Sequence, residues 1–495
     1  MNHRTRNVLI AAGTILLIGC ICVAVVGIGG LGYLVTGSRV NQPTVELGSL
    51  ATELPVATAI ATKLPESSPE SSPTPLITSE EQSEATPTLS ITSGSAELPI
   101  EIQTEMDEIE DQIVELRGLQ PNRSVSRDLL SQGQLRQRVM DDFLEDYTDE
   151  EAQDDARVLA AFGLLDADFD LINLYLDLYS EQIAGFYDDE TEEMYVIQGE
   201  GFEGPERLTY AHEYTHALQD QNYNFENVLL YTDAACEEDS ERCAAIQALI
   251  EGDASLAEFE WLTNFATTKD ILDIQQFYGS YVSPVYDSAP AFLKEDFLFP
   301  YNYGQSFVQY LHDRGGWSSV NAAYVDLPVS TEQILHPEQY PEDKPVPVDL
   351  PDLSGILGDG WREIDRGVMG EWYTYLILAL GEDPGARLAE EEASEASAGW
   401  GGDAYAVYFN DETGDTAMTL AYRWESESDA DQFVNSFSEY ATQKFGGPDQ
   451  DQPDLLAWED QGGYTALHVD GLNTTWVFAP DSGSALNIWQ GISTP

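Results

Sequence analysis

Residues 212–216 read His-Glu-Tyr-Thr-His, inside a stretch suited to a helix. Gly204-Pro205 offers a start, with proline at the first helical position, where its missing N–H is not needed. Glu206 to Gln219 contains no further glycine or proline. On a helix His212 and His216 lie one turn apart on one face. Two imidazoles so placed hold a single Zn2+. Glu213 then stands beside the metal, where a carboxylate takes a proton from zinc-bound water. The chain has six histidines. Chance alone yields this motif in roughly one such chain in a hundred.

A catalytic zinc takes a third protein ligand and leaves its fourth position to water. The extension HExxHxxGxxH does not apply, because Gln219 stands at the glycine position and Asn222 at the third histidine. The other source is a glutamate on a second helix. Ala244 to Glu258 reads as a long, alanine-rich helix. In it Glu251 has the apolar neighbours Leu249, Ile250 and Ala254, which point it into the protein. A buried carboxylate needs a partner, and zinc supplies one. Glu258, two turns on along the same face, is the rival ligand.

The strings His-Glu-Tyr-Thr-His-Ala-Leu-Gln-Asp-Gln (212–221) and Ala-Leu-Ile-Glu-Gly-Asp-Ala (248–254) resemble the gluzincin class of zinc metallopeptidases. More narrowly, they resemble membrane-anchored bacterial members with an EGDA-type second helix. The likeness is close over residues 180–340. It implies a mostly helical, zincin-like catalytic domain with a small sheet. It also implies that His212, His216 and Glu251 bind Zn2+ and that Glu213 is the general base. One position departs from the thermolysin-like pattern: Ser255 stands where an Asp braces a zinc-bound histidine. Asp253 and Asp220 are the alternatives for that carboxylate. Gluzincins also draw an oxyanion donor from a downstream His or Tyr. Here the candidates are His336, in the polar segment 330–337, and Tyr303, in 300–305, with His336 preferred. His312 and His468 read as structural.

With 21 basic against 89 acidic residues, the net charge is −68. That excludes a basic surface for nucleic acid and disfavours docking on anionic lipid. Of four cysteines, Cys236 and Cys243 flank a short acidic stretch. In an exported domain they close a disulfide loop at the start of the Glu251 helix; two free thiols are the alternative.

Val8 to Val35 carries no charge and follows Arg4 and Arg6. It is long enough to span a bilayer, and the preceding basic residues keep residues 1–7 in the cytoplasm. The expectation is a single-pass anchor in the cell membrane with the catalytic domain outside. Leu17-Ile18-Gly19-Cys20 resembles a lipobox, so a lipoprotein tethered through Cys20 is the alternative; the apolar run past Cys20 argues against it. Residues 38–98, rich in Ser, Thr, Pro and Glu, read as a disordered linker.

The folded part reads as α+β: a mostly helical domain over 99–383, a joint at 384–401, and a small α+β domain over 402–495. Helices are expected over 126–147, 150–164, 168–183 and 368–380. A strand pair is expected at 184–187 and 194–197. The last domain should hold strands at 404–409, 416–424, 464–469 and 474–478, with a helix over 428–445 capped by Ser428. The expected function is a zinc metallopeptidase that hydrolyses peptides or proteins through zinc-activated water. The alternatives are a non-catalytic surface scaffold with a vestigial zinc site, and a zinc hydrolase of a non-peptide bond.

Overall fold

The computed structural model describes residues 18–20, 98–140, 147–189, 191–197, 201–459 and 462–493. The linker expected at 38–98 lies outside these apart from Leu98, and the anchor expected at Val8–Val35 apart from Ile18–Cys20. Among the described residues no helix is long and apolar enough to cross a membrane.

The chain from Leu98 begins with helix α1 (Ile100–Arg117), which buries Met106, Ile109 and Ile113 along one face. A small sheet follows in the order β1 (Ile18–Cys20), β3 (Gly185–Asp188), β4 (Glu193–Ile197), β2 (Ser126–Leu130). The antiparallel pair β3–β4 is the expected hairpin. β2 differs from expectation, since residues 126–147 read as helix. Ser126–Leu130 instead runs parallel to β4. The helix waits until Gln132, where Ser131 and Gln134 close a capping box that satisfies two free N–H groups. Helices α2 (Asp149–Ala161) and α3 (Leu171–Gln182) match the periodicity of their sequences.

Three helices form the centre of this part. α4 (Gly204–Tyr223) carries the histidine motif, with Pro205 in its first turn and no exposed residue from Leu208 to Gln219. α5 (Ser240–Asn264) is buried at every position from Ala248 to Glu258, so all faces of that stretch meet protein. α6 (Ala291–Gly315) crosses α5 at two glycines. A Cβ on Gly252 would come within 2.1 Å of the Gly304 carbonyl oxygen, and one on Gly304 within 2.1 Å of the Ala248 carbonyl oxygen. The two backbones therefore touch, and any larger side chain at either point would part the helices. Cys236 and Cys243 are disulfide-bonded, which ties the short helix Asp233–Glu238 to the first turn of α5.

The second sheet is antiparallel throughout, in the order β5 (Trp361–Gly367), β6 (Trp400–Asn410), β7 (Thr416–Trp424), β11 (Asn473–Ala479), β10 (Tyr464–Asp470), β9 (Leu455–Glu459), β8 (Gln450–Gln452). It begins before the joint expected at 384–401, because β5 pairs with β6. Helix α7 (Gly370–Leu380) is stitched to the same sheet. Asp403 on β6 accepts hydrogen bonds from Met369 N (2.7 Å) and Gly370 N (2.9 Å) at the start of α7. Arg362 on β5 reaches α2 through a two-pronged contact with Asp154 (2.6 and 2.9 Å). One apolar core runs from Phe162 to Tyr405 and Trp476, so the helical part and the sheet form one compact unit. Helix α8 (Glu427–Phe445) covers the sheet and is capped by Ser426, not Ser428: Ser426 Oγ accepts from Asp429 N at 3.2 Å.

The glycine crossing gives a direct test. Gly304→Ala should destabilise the full-length protein by about 2–3 kcal/mol, since a new Cβ meets backbone that cannot rotate away. Thermal unfolding measures it, and a variant that melts with the parent would show that the helices part freely.

Candidate metal centre

His212 and His216 project from one face of α4 with their rings 4.7 Å apart, centroid to centroid. Glu251 projects from α5 between them. Its Oε2 lies 3.2 Å from His212 Nε2 and 3.4 Å from His216 Nε2. All three side chains are at most 1% exposed. Two ligands about 2.05 Å from a zinc ion, at the tetrahedral angle, stand about 3.3 Å apart. The observed separations are the edges of such a tetrahedron. The two histidines and the glutamate that the sequence nominates are thus brought together, within 4.8 Å of one another.

The hydrogen bonds behind the rings decide which atoms face inward. Gln219 Nε2 donates to the Ile250 carbonyl oxygen (3.0 Å), which turns Gln219 Oε1 toward His216 Nδ1 at 2.8 Å. His216 must therefore carry its proton on Nδ1, leaving a bare lone pair at Nε2. That lone pair faces a carboxylate oxygen in the dry interior and has no hydrogen-bond partner; nor has Glu251 Oε1. Acceptor against acceptor is repulsive unless a cation sits between them. His212 is similar: Nδ1 lies 2.9 Å from Glu258 Oε2 and Nε2 faces Glu251, so both ring nitrogens meet carboxylates.

The titration of the three groups follows the same logic. Burial raises the Glu251 carboxyl, but His216 and His212 outweigh it and hold the group at about 2. Burial works against a charged His212, yet its hydrogen bonds with Glu251 and Glu258 raise it well above the usual histidine value. Burial lowers His216, keeping it neutral. Without metal, a proton on His212 does in part what a cation would do.

Glu258, the rival ligand by sequence, is the brace behind His212. Asp253 and Asp220 are engaged elsewhere. Asp253 receives Arg117 through two hydrogen bonds (2.7 and 2.9 Å) and Tyr324 OH at 2.8 Å. Asp220 receives Tyr187 OH at 3.0 Å. The i+7 spacing from Glu251 to Glu258 is the sequence signal that identifies the brace: both fall on the face of α5 that meets α4. Gln219, three residues past His216, is signalled by helical spacing too.

Glu213 is fully buried and lies against the first residue of β3. A Cβ on Gly185 would approach Glu213 Cγ to 3.3 Å and Thr209 Cγ2 to 2.7 Å, so the strand meets the motif helix only because Gly185 has no side chain.

His336 is not brought into this cluster. Its Nε2 lies 2.9 Å from Glu371 Oε1. Tyr303 packs its ring against Phe299 and Trp372, at 5.5 and 5.2 Å. The residue of that segment that does reach the site is Tyr301, whose ring centroid is 6.4 Å from that of His212. Tyr301 and Tyr303 are two residues apart on α6, about 200° around the helix, so their side chains leave it on different sides.

Glu258→Gln, which keeps an acceptor but removes its charge, should weaken zinc binding by roughly tenfold. Competition with a chromophoric chelator measures it. If a metal binds His212 Nε2 it competes there with a proton, so the parent's apparent affinity should rise with pH, and go on rising above the ordinary histidine value. A flat pH profile would separate the metal from this histidine.

Residues 359–489 match a family model described as "Domain of unknown function (DUF8575)". The match begins at β5 and takes in the seven-stranded sheet, and it leaves the helices of the metal centre outside. No curated protein and no solved structure matches the chain.

Proposed function

We propose that this chain is a zinc-dependent peptidase of the gluzincin kind, with a zincin-like helical part; a membrane tether through Val8–Val35, with this part facing outward, would require Ile18–Cys20 to leave its pairing with β3. The observation that carries the reading is the bare Nε2 of His216 set 3.4 Å from the buried Glu251 carboxylate. His212, His216 and Glu251 would hold the metal. Among the described residues only these three converge there, which leaves a fourth position for water or substrate, as a catalytic site requires.

Zinc, when bound, supplies a Lewis acid that acidifies water and polarises an amide carbonyl. The protein's own groups do the rest. Glu213, next to His212 on α4, accepts the proton of the attacking water and returns it to the departing amine. Glu258 and Gln219 fix both imidazoles with Nε2 forward. Tyr301, whose ring centroid is 6.4 Å from that of His212, would donate its phenol to the developing oxyanion. Peptides or proteins are the substrates; the acidic surface supports no nucleic-acid substrate.

The burial of all four motif side chains favours a second reading, a non-catalytic surface scaffold stabilised by zinc. Glu213 separates the two, since a scaffold has no need of a base. Glu213→Gln in the full-length protein should keep one zinc per chain and lose casein or mixed-peptide cleavage by at least about a hundredfold. Zinc bound in both proteins with cleavage in neither would favour the scaffold. Tyr301→Phe should lower kcat by roughly a hundredfold, and His336→Ala should leave it unchanged. The reverse pattern would return the donor role to His336.

A further inference from the structure

A second group of acids gathers far along the chain from the histidine motif. Carboxylate oxygens of Glu332, Asp343 and Glu425 lie within 4.8 Å of one another. Glu332 lies on the short helix Thr331–Leu335, Asp343 on the loop that follows, and Glu425 just past the end of β7. They therefore join the helical part to the sheet. Three like charges repel, and exposed acids are often gathered without any ligand. Glu332 is not exposed. It is 2% accessible, and its Oε1 is buried without a hydrogen-bond partner among the described residues.

The neighbours of Glu332 make this worse. Burial raises its carboxyl, and Glu371, Asp343, Glu425 and Glu241 raise it further, to about 9. His336, four residues on in the chain, is taken by Glu371 at 2.9 Å. Lys344, next to Asp343 in the chain, has its ammonium 3.9 Å from Asp326 instead. Burying an unanswered carboxylate among other carboxylates costs several kcal/mol unless a cation or a proton answers it.

We infer that Glu332, Asp343 and Glu425 form a calcium site that clamps the 331–343 segment onto the end of β7. The donors are all oxygen, which selects a hard cation over zinc. Calcium holds its oxygens at roughly 2.4 Å, so two of its ligand oxygens stand at most about 4.8 Å apart, and the three carboxylates here all lie within that reach of one another. Asp343 is half-buried and Glu425 exposed, which leaves room for the water ligands that fill a coordination shell of six to eight. The site is separate from the histidine centre, shares no residue with it, and stands or falls independently of the peptidase reading.

The test is calcium binding to the full-length protein, followed by calorimetry and by thermal unfolding. The parent should bind one calcium ion more than Glu332→Gln or Glu425→Gln. Its melting temperature should rise by roughly 5 °C at a hundredfold excess of calcium over the dissociation constant, with sodium chloride at matched ionic strength giving no such rise. Glu332→Gln should lose the calcium response while being no less stable than the parent without calcium, because the raised Glu332 carboxyl then carries a proton and glutamine replaces it with a neutral side chain of similar shape. Should that variant fail to fold, Glu425→Gln alters only an exposed side chain and reads the same loss. An equal calcium response in the parent and in Glu425→Gln, or none in the parent, overturns the site.

Discussion

A carboxylate with no exposure, in the middle of a helix with protein on every side, is the constraint around which the helical part is arranged. Successive residues on a helix are about 100° apart, so Glu251, Gly252 and Asp253 face three directions and meet three neighbours. Glu251 meets the histidines of α4. Gly252 meets the backbone of α6. Asp253 meets Arg117 of α1, fully buried and held by two hydrogen bonds, with Trp317 4.4 Å from the guanidinium. Tyr301, one turn before Gly304 on α6, stands beside His212, with ring centroids 6.4 Å apart.

The scarcity of cations shapes how the interior handles its acids. With 21 basic residues for 89 acidic ones, several buried or half-buried carboxylates are met by neutral donors alone. Asp296 accepts from Trp372 Nε1 (2.9 Å) and Tyr373 OH (2.7 Å), and burial still pushes it up to about 6. Asp403 accepts from two backbone N–H groups and Trp400 Nε1, and it too rises to about 6. Glu241 is met by the N–H and hydroxyl of Thr331, and burial carries it to about 8. Glu251 is the contrast: it is the buried acid held low, because two imidazoles converge on it.

Local signals were legible wherever the chain decides by itself. The helix around His212 and His216 follows from proline at its start and the lack of breakers. The α8 helix and its glycine end, and strands such as Thr416–Trp424, follow from periodicity. β2 was not legible, because Ser126–Leu130 has no alternation of its own and becomes a strand only by pairing with β4. The joint at 384–401 misled for a related reason. Composition changes there, but β5 has already entered the sheet, and strand pairing over long separations leaves no mark in local composition.

The sequence by itself determined the identity and spacing of the groups that can hold a metal: His212 and His216 one turn apart, Glu213 between them, and Glu251 on an apolar helix. Helical periodicity is a local property, so short-range pattern is enough to set it. Only the tertiary structure decided how those groups are used. It turned Glu258 from rival ligand into the brace behind His212, sent Asp253 to Arg117, brought Tyr301 and not His336 to the site, and gathered Glu332, Asp343 and Glu425 from three separate segments. Those outcomes depend on how helices cross and which backbones touch, and a helix crossing is fixed by the small residues at its contact, whose partners lie far away in the chain.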